Sequence, residues 1–173
     1  MRTDTFVVGV LLGTIGVMGS ALAAEKSADG CSILKDPEIQ TLAGSAKVNA
    51  VASTDGLGSR LCQYTWGTGG NVQSGKSYLN VSVTETSKAF PGTDAATLKK
   101  GLLSRAQMAK PPAVAGVING VGEAAIYESN DPIRLETAAF AKGKMLTVTL
   151  ETQDARAQKD KVSALLKAAA GRL

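Results

Sequence analysis

Lys76-Ser77-Tyr78-Leu79-Asn80-Val81-Ser82-Val83-Thr84-Glu85-Thr86 is the stretch whose reading settles the fold class. Leu79, Val81 and Val83 alternate with polar side chains. A period of two residues puts one face of an extended strand on a core and the other in water. The same period returns at Arg60–Trp66, where Cys62, Tyr64 and Trp66 lie opposite Leu61, Gln63 and Thr65. It returns again at Met145–Glu151, with Leu146, Val148 and Leu150 directed inward. Ala124–Glu128 and Ile133–Phe140 read as two further strands, and Lys142-Gly143 as a tight turn. Ser45–Thr54 alternates weakly through Ala46, Val48, Ala50 and Ala52 and reads as an edge strand. Asp55-Gly56-Leu57-Gly58 then makes a turn. Ala113–Gly122, rich in small residues, reads as a crossing between the two groups of strands.

Helical signals separate these groups. Asp36 is the expected cap of a short helix, with Pro37 at its first position, Ile39, Leu42 and Ala43 on one side and Gly44 just past its end. Thr93 and Asp94 start a second helix, whose apolar face carries Leu98, Leu102, Leu103, Ala106 and Ala109 and which Lys110-Pro111-Pro112 terminates. A third runs from Asp154 to Ala170 with Val162, Leu165, Leu166 and Ala169 on one face, and Leu173 extends it. The expected architecture is α+β, an antiparallel sheet packed in two layers against helices, in the order α-β-β-β-α-β-β-β-α. Gly58–Tyr64 echoes Gly122–Tyr127, and Val81–Thr86 echoes Val148–Thr152. The echo fits either an internal αβββ duplication or the degeneracy of strand patterns.

The first residues carry an address. Arg2 precedes an apolar run from Phe6 to Met18, and Ala21 and Ala23 fit an A-x-A cleavage site, so residues 1–23 read as a secretory signal peptide. Residues 24–30 are a flexible lead-in and 31–173 a single domain. A mature chain of about 150 residues buries enough surface to fold without a metal or cofactor. No second apolar run is long enough to span a bilayer. The expected location is the periplasm or the extracellular medium. In an oxidising compartment Cys31 and Cys62, the two cysteines of the chain, pair as a structural disulfide that contributes roughly 3–4 kcal/mol. Their spacing is far from the C-x-x-C of redox sites.

The formal net charge of +4 is dispersed, and the longest basic run is Lys99-Lys100. A nucleic-acid binder shows a clustered basic face with exposed aromatics, and none is expected here. The chain has no histidine. That removes the usual general base, histidine triads and most catalytic zinc sites. Gly120-Val121-Gly122-Glu123-Ala124-Ala125 fits G-x-G-x-x-A, but it leads into a strand where a dinucleotide site opens a helix, so its glycines read as turns. Glu123, Glu128, Asp131 and Glu136 gather carboxylates in one region. A hydrolase reading of them competes with a solvated sheet face. Asn80-Val81-Ser82 is a glycosylation sequon that falls inside a strand. Tyr64, Trp66, Gly69 and Asn71, at a strand end and in the Gly-rich loop after it, form the candidate binding loop. An aromatic with one wet edge is a common anchor, and the alternative is that Trp66 caps the core.

Cys31-Ser32-Ile33-Leu34, Pro37-Glu38-Ile39, Cys62-Gln63-Tyr64 and Gly120-Val121-Gly122-Glu123-Ala124-Ala125 together resemble a family of exported cell-envelope domains of unknown function, many of them lipoproteins. The resemblance covers most of the mature chain. It implies the disulfide and a two-layer α+β domain, and it supplies no catalytic residues. The chain departs from the family in lacking a lipidation cysteine. The expected function is a non-enzymatic exported binding module for a protein or envelope component. An inhibitor of a secreted hydrolase acting through loop 66–75 is the first alternative. A hydrolase using carboxylates of the 123–136 region is the second.

Overall fold

The computed structural model describes residues 30–173, so the expected signal peptide and all of the expected lead-in but Gly30 lie outside the described residues. The alternating segments become strands β1 (Asn49–Thr54), β2 (Arg60–Trp66), β3 (Ser77–Glu85), β4 (Val114–Val117), β5 (Ala124–Asp131), β6 (Arg134–Ala141) and β7 (Lys144–Glu151). They form one seven-stranded, wholly antiparallel sheet in the order β1-β2-β3-β7-β6-β5-β4. Four helices accompany it: α1 (Asp36–Ala43), the single turn α2 (Thr86–Ala89), α3 (Ala95–Met108) and α4 (Lys159–Gly171). Short 3-10 turns occupy Gly30–Ser32 and Arg156–Gln158. The chain is α+β, as its alternation implies.

The centre of the sheet is the β3–β7 pair. Leu79 faces Leu150, Val81 faces Val148 and Val83 faces Leu146. Leu79, Leu146, Val148 and Leu150 are fully buried. Lys142 and Gly143 join β6 to β7 with φ of 51° and 72°. Two consecutive left-handed residues give a hairpin turn whose twist matches that of the strands, and glycine occupies one of them without steric cost.

Helix packing corrects the two-layer expectation. Val162, Leu165, Leu166 and Ala169 of α4 share a cluster with Ala125, Leu135, Ala139, Leu146, Val148 and Leu150. Leu102 of α3 shares a different cluster with Ala124, Ile126, Ala138 and Phe140. These two sets alternate along β5 and β6, so α4 and α3 cover opposite faces and the β5–β7 region is three layers deep. The cause is in the strands. Ala124-Ala125-Ile126 and Thr137-Ala138-Ala139-Phe140-Ala141 are buried without interruption. A strand apolar on both faces requires cover on both.

A further expectation is corrected. The small-residue crossing after the second helix contains a seventh strand, β4, paired to β5 with Gly116 opposite Tyr127. Four small side chains carry no readable alternation, and Gly116 leaves space that the Tyr127 ring fills. The sequence echo is met in part: it matches β3 with β7, the central pair of the sheet, but it matches β2 with β5, whereas the order about that pair sets β2 against β6. Ile39 of α1 also lies in the α4-side cluster, on the face opposite α3.

Asp36 does not cap α1. The cap position is Lys35, whose N–H donates to Glu38 Oε2 at 2.8 Å. At α3 the expected cap holds: Asp94 Oδ1 accepts from the Thr97 N–H at 2.8 Å. The N-terminal segment is pinned at several points. Cys31 and Cys62 form a disulfide. Tyr64 Oη donates to the Cys31 carbonyl at 2.8 Å. Arg172 Nη1, after α4, donates to the Ile33 carbonyl at 2.7 Å and to Glu38 Oε2 at 2.8 Å. These ties hold Ile33, Leu34 and Ile39 in the same core cluster as β2 and β3.

Candidate functional site at the open edge of the sheet

The loop after β2 is built inward. Tyr64 and Trp66 are only 2% and 9% exposed, on the face of β2 that also carries Cys62. Trp66 therefore belongs to the core cluster, the alternative weighed against its use as an anchor. Asn71 is spent on the loop itself. Its Oδ1 accepts from Ser74 N at 2.9 Å, and its carbonyl accepts from Lys76 N at 2.9 Å. Val72 is buried beneath. Gly69 packs so closely on Ser74 that a Cβ there would overlap the Ser74 carbonyl. The four candidate loop residues are thus adjacent, but they shape a closed loop and offer little side chain to a partner.

The carboxylates also separate. Glu123 pairs with Lys99 at 3.1 Å, and Asp131 Oδ1 accepts from Ile133 N in the β5–β6 turn. Glu128 and Glu136, directly opposite each other on β5 and β6, share Arg105 of α3 at 2.9 and 2.8 Å. Arg134 continues the chain of charges to Glu136 and Glu151. Burial opposes the charge on Arg105, but its bonds to Glu136 and Glu128 outweigh that and raise its pKa. Both carboxylates are thereby tied to one guanidinium, an arrangement that suits a structural network. Arg105, twenty-three residues from Glu128 in sequence, was not among the expected site residues. The acidic cluster was the available signal, and its counter-ion lies on another element.

What remains open is the β1 side of the sheet. All six residues of Asn49-Ala50-Val51-Ala52-Ser53-Thr54 are exposed, Val51 to 64%. β1 pairs with β2, and among the described residues no strand lies on its outer side. Alternate residues of such an edge present unpaired N–H and C=O groups. Natural edges are usually guarded by charge, proline, a bulge or shortness. The opposite edge, β4, is four residues long and follows Pro111-Pro112. β1 carries no charge and no proline, and its register with β2 runs unbroken from Asn49↔Thr65 to Thr54↔Arg60.

Among the described residues, the sheet face beside this edge is uncovered as well. Val51, Ser53, Leu61, Gln63, Asn80 and Ser82 line a shallow depression of about 400 Å³. Gln63 Nε2 donates to Asn80 Oδ1 at 3.0 Å across its floor. The β1–β2 turn is stiffened by Asp55, whose Oδ1 accepts from Ser59 N at 2.8 Å and Leu57 N at 2.9 Å. Those bonds, that from the Ser59 N–H foremost, hold its carboxyl below the ordinary value. The edge is therefore presented on a rigid hairpin. Sequence alternation marked this segment as an edge strand but could not show that its outer side stays open.

Among the described residues no group of His, Cys, Asp or Glu side chains is placed to hold a metal ion, and no helix is long and apolar enough to cross a membrane. The chain matches no protein-family model, no curated protein and no solved structure.

Proposed function

We propose that this chain is an exported, non-enzymatic binding module that takes an extended segment of a protein partner onto β1. The observation that carries the reading is the unguarded, uncharged, fully exposed edge of Asn49–Thr54. Strand addition draws affinity from main-chain hydrogen bonds and specificity from alternate side chains. A segment beside Val51 and Ser53 faces an uncharged strip that continues into the depression lined by Leu61 and Gln63. The partner chemistry is thus a stretch of five to seven uncharged residues, roughly the length of β1, apolar at alternate positions. Export is supported by the leader-like run at 1–23 and by the Cys31–Cys62 disulfide. Membership of the exported cell-envelope family is part of the same proposal and rests on the short motifs around both cysteines.

The test is peptide display against the oxidised protein. Enriched peptides are expected to alternate apolar and polar residues. They should bind at least tenfold more weakly to the Val51→Lys/Ser53→Lys variant, whose charges guard the edge. N-methylation of alternate amides in the best peptide should abolish binding. Enriched peptides that bind the lysine variant equally, or that tolerate N-methylation, would refute strand addition. Concentration-dependent dimerisation that V51K abolishes, without peptide enrichment, would replace the partner by a second copy of the chain.

A further inference from the structure

A second feature lies at the other end of the sheet, away from β1. Val114, Tyr127, Ser129, Leu135, Arg156 and Lys159 line a cleft of about 270 Å³, with Ala157 and Asp160 at its wall. Its polar groups are mostly donors. Arg156 is held by neutral acceptors: Nε donates to Ser129 Oγ at 3.1 Å, and Nη2 donates to the carbonyls of Ser129 at 3.2 Å and Pro112 at 3.4 Å. Among the described residues it meets no carboxylate, and its Nη1 makes no hydrogen bond. Arg105, Arg134 and Arg172, by contrast, are each matched by a glutamate. Lys159 Nζ stands 5.1 Å from the centre of the Tyr127 ring. Its charge partner, Asp160 at 3.5 Å, has a side chain 95% exposed, and so screens it weakly. Ser129 is only 2% exposed, and its hydroxyl donates to the Asp131 carbonyl while accepting from Arg156, which sets the guanidinium in place.

We infer that this cleft binds a small organic carboxylate, the anion meeting Arg156 and Lys159 and the apolar body meeting Val114, Leu135 and the Tyr127 ring. A guanidinium already oriented by neutral groups presents its remaining donors to an anion without first breaking an ion pair. The volume suits a single ring or a short aliphatic chain and is at the low end for ligand sites. This inference does not depend on the reading of β1.

The test is titration of the folded, oxidised chain with benzoate, benzamide and inorganic phosphate, followed by amide NMR shifts. Benzoate is expected to shift Val114, Tyr127, Ser129 and Arg156 saturably. Benzamide, of the same shape without the charge, should bind at least tenfold more weakly, and phosphate, without the apolar body, also more weakly than benzoate. The Arg156→Gln variant should lose roughly tenfold or more of benzoate affinity, in line with loss of one charge-assisted hydrogen-bonding group. Lys159→Gln, which removes only an exposed ion pair and the contact with the Tyr127 ring, should lose severalfold and keeps the test valid if R156Q fails to fold. Equal binding of benzoate and benzamide, shifts that map elsewhere, or unchanged benzoate affinity in K159Q would overturn the assignment. Phosphate binding as tight as benzoate would also overturn it, since a bare anion site would then account for the data.

Discussion

Replacing both cysteines by alanine tests how the domain is held together. The bridge spans a sequence separation of 31 residues. Loop-closure entropy for that length gives about 3.7 kcal/mol at 25 °C, before any change in packing. Cys62 is 1% exposed, so losing its sulfur from the core adds up to about 1 kcal/mol. A domain of this size has a total stability of about 5–15 kcal/mol. The variant is therefore expected to fold at 25 °C with much of its margin gone. With a urea m-value of about 2 kcal/mol/M, the midpoint should fall by about 2 M. Trp66, the single tryptophan and a core residue on the same face of β2 as Cys62, reports the transition by fluorescence. Hydrogen exchange adds a spatial prediction. Amides of α1 should lose protection more than those of β3 and β7, because the bridge is the one covalent cross-link between this segment and the sheet, beside hydrogen bonds such as Tyr64 to Cys31 and Arg172 to Ile33 and Glu38. A midpoint shift below about 0.5 M, or equal loss of protection in α1 and the central strands, would refute the claim that the bridge pins this segment to the sheet.

Three other outcomes follow from the packing and charge. Leu166→Ala, at a fully buried position in the α4 cluster, should cost about 2–5 kcal/mol in urea unfolding; a cost under 1 kcal/mol would contradict its place in the core. Gly69→Ala should cost about 1–3 kcal/mol, since its Cβ collides with the Ser74 backbone, whereas Gly70→Ala beside it has open space and should cost less by the same measurement. The fork from Arg172, with the Lys35 N–H, holds the Glu38 carboxyl below its ordinary 4.5 despite partial burial, so its contribution is present above that value and fades as pH falls through the depressed folded one. The stability difference between wild type and Glu38→Gln should accordingly be largest near pH 7, stay below about 1 kcal/mol for so exposed a pair, and shrink by pH 3; a difference that grows on acidification would reverse the sign of the argument.

The chain's own alternation determined a great deal. Period two at Arg60–Trp66, Ser77–Glu85 and Met145–Glu151 specified strands and the side of each that turns inward, because a one-residue slip would put Leu79 or Val148 in water. Asp94 and the following apolar spacing specified α3, and the lone pair of cysteines specified its bridge. Tertiary structure decided the rest, for reasons of distance. Alternation tells that a face is buried but not by what, so the split of α3 and α4 to opposite faces emerged only from the packing of Ala138 and Ala139. Short segments of small residues, such as Val114–Val117, acquire a strand's identity from the neighbour they pair with. Arg105 and Arg156 find their partners across tens of residues, where local spacing carries no information. The openness of β1 is likewise a property of what, among the described residues, does not lie beside it, and no pattern within six residues encodes that.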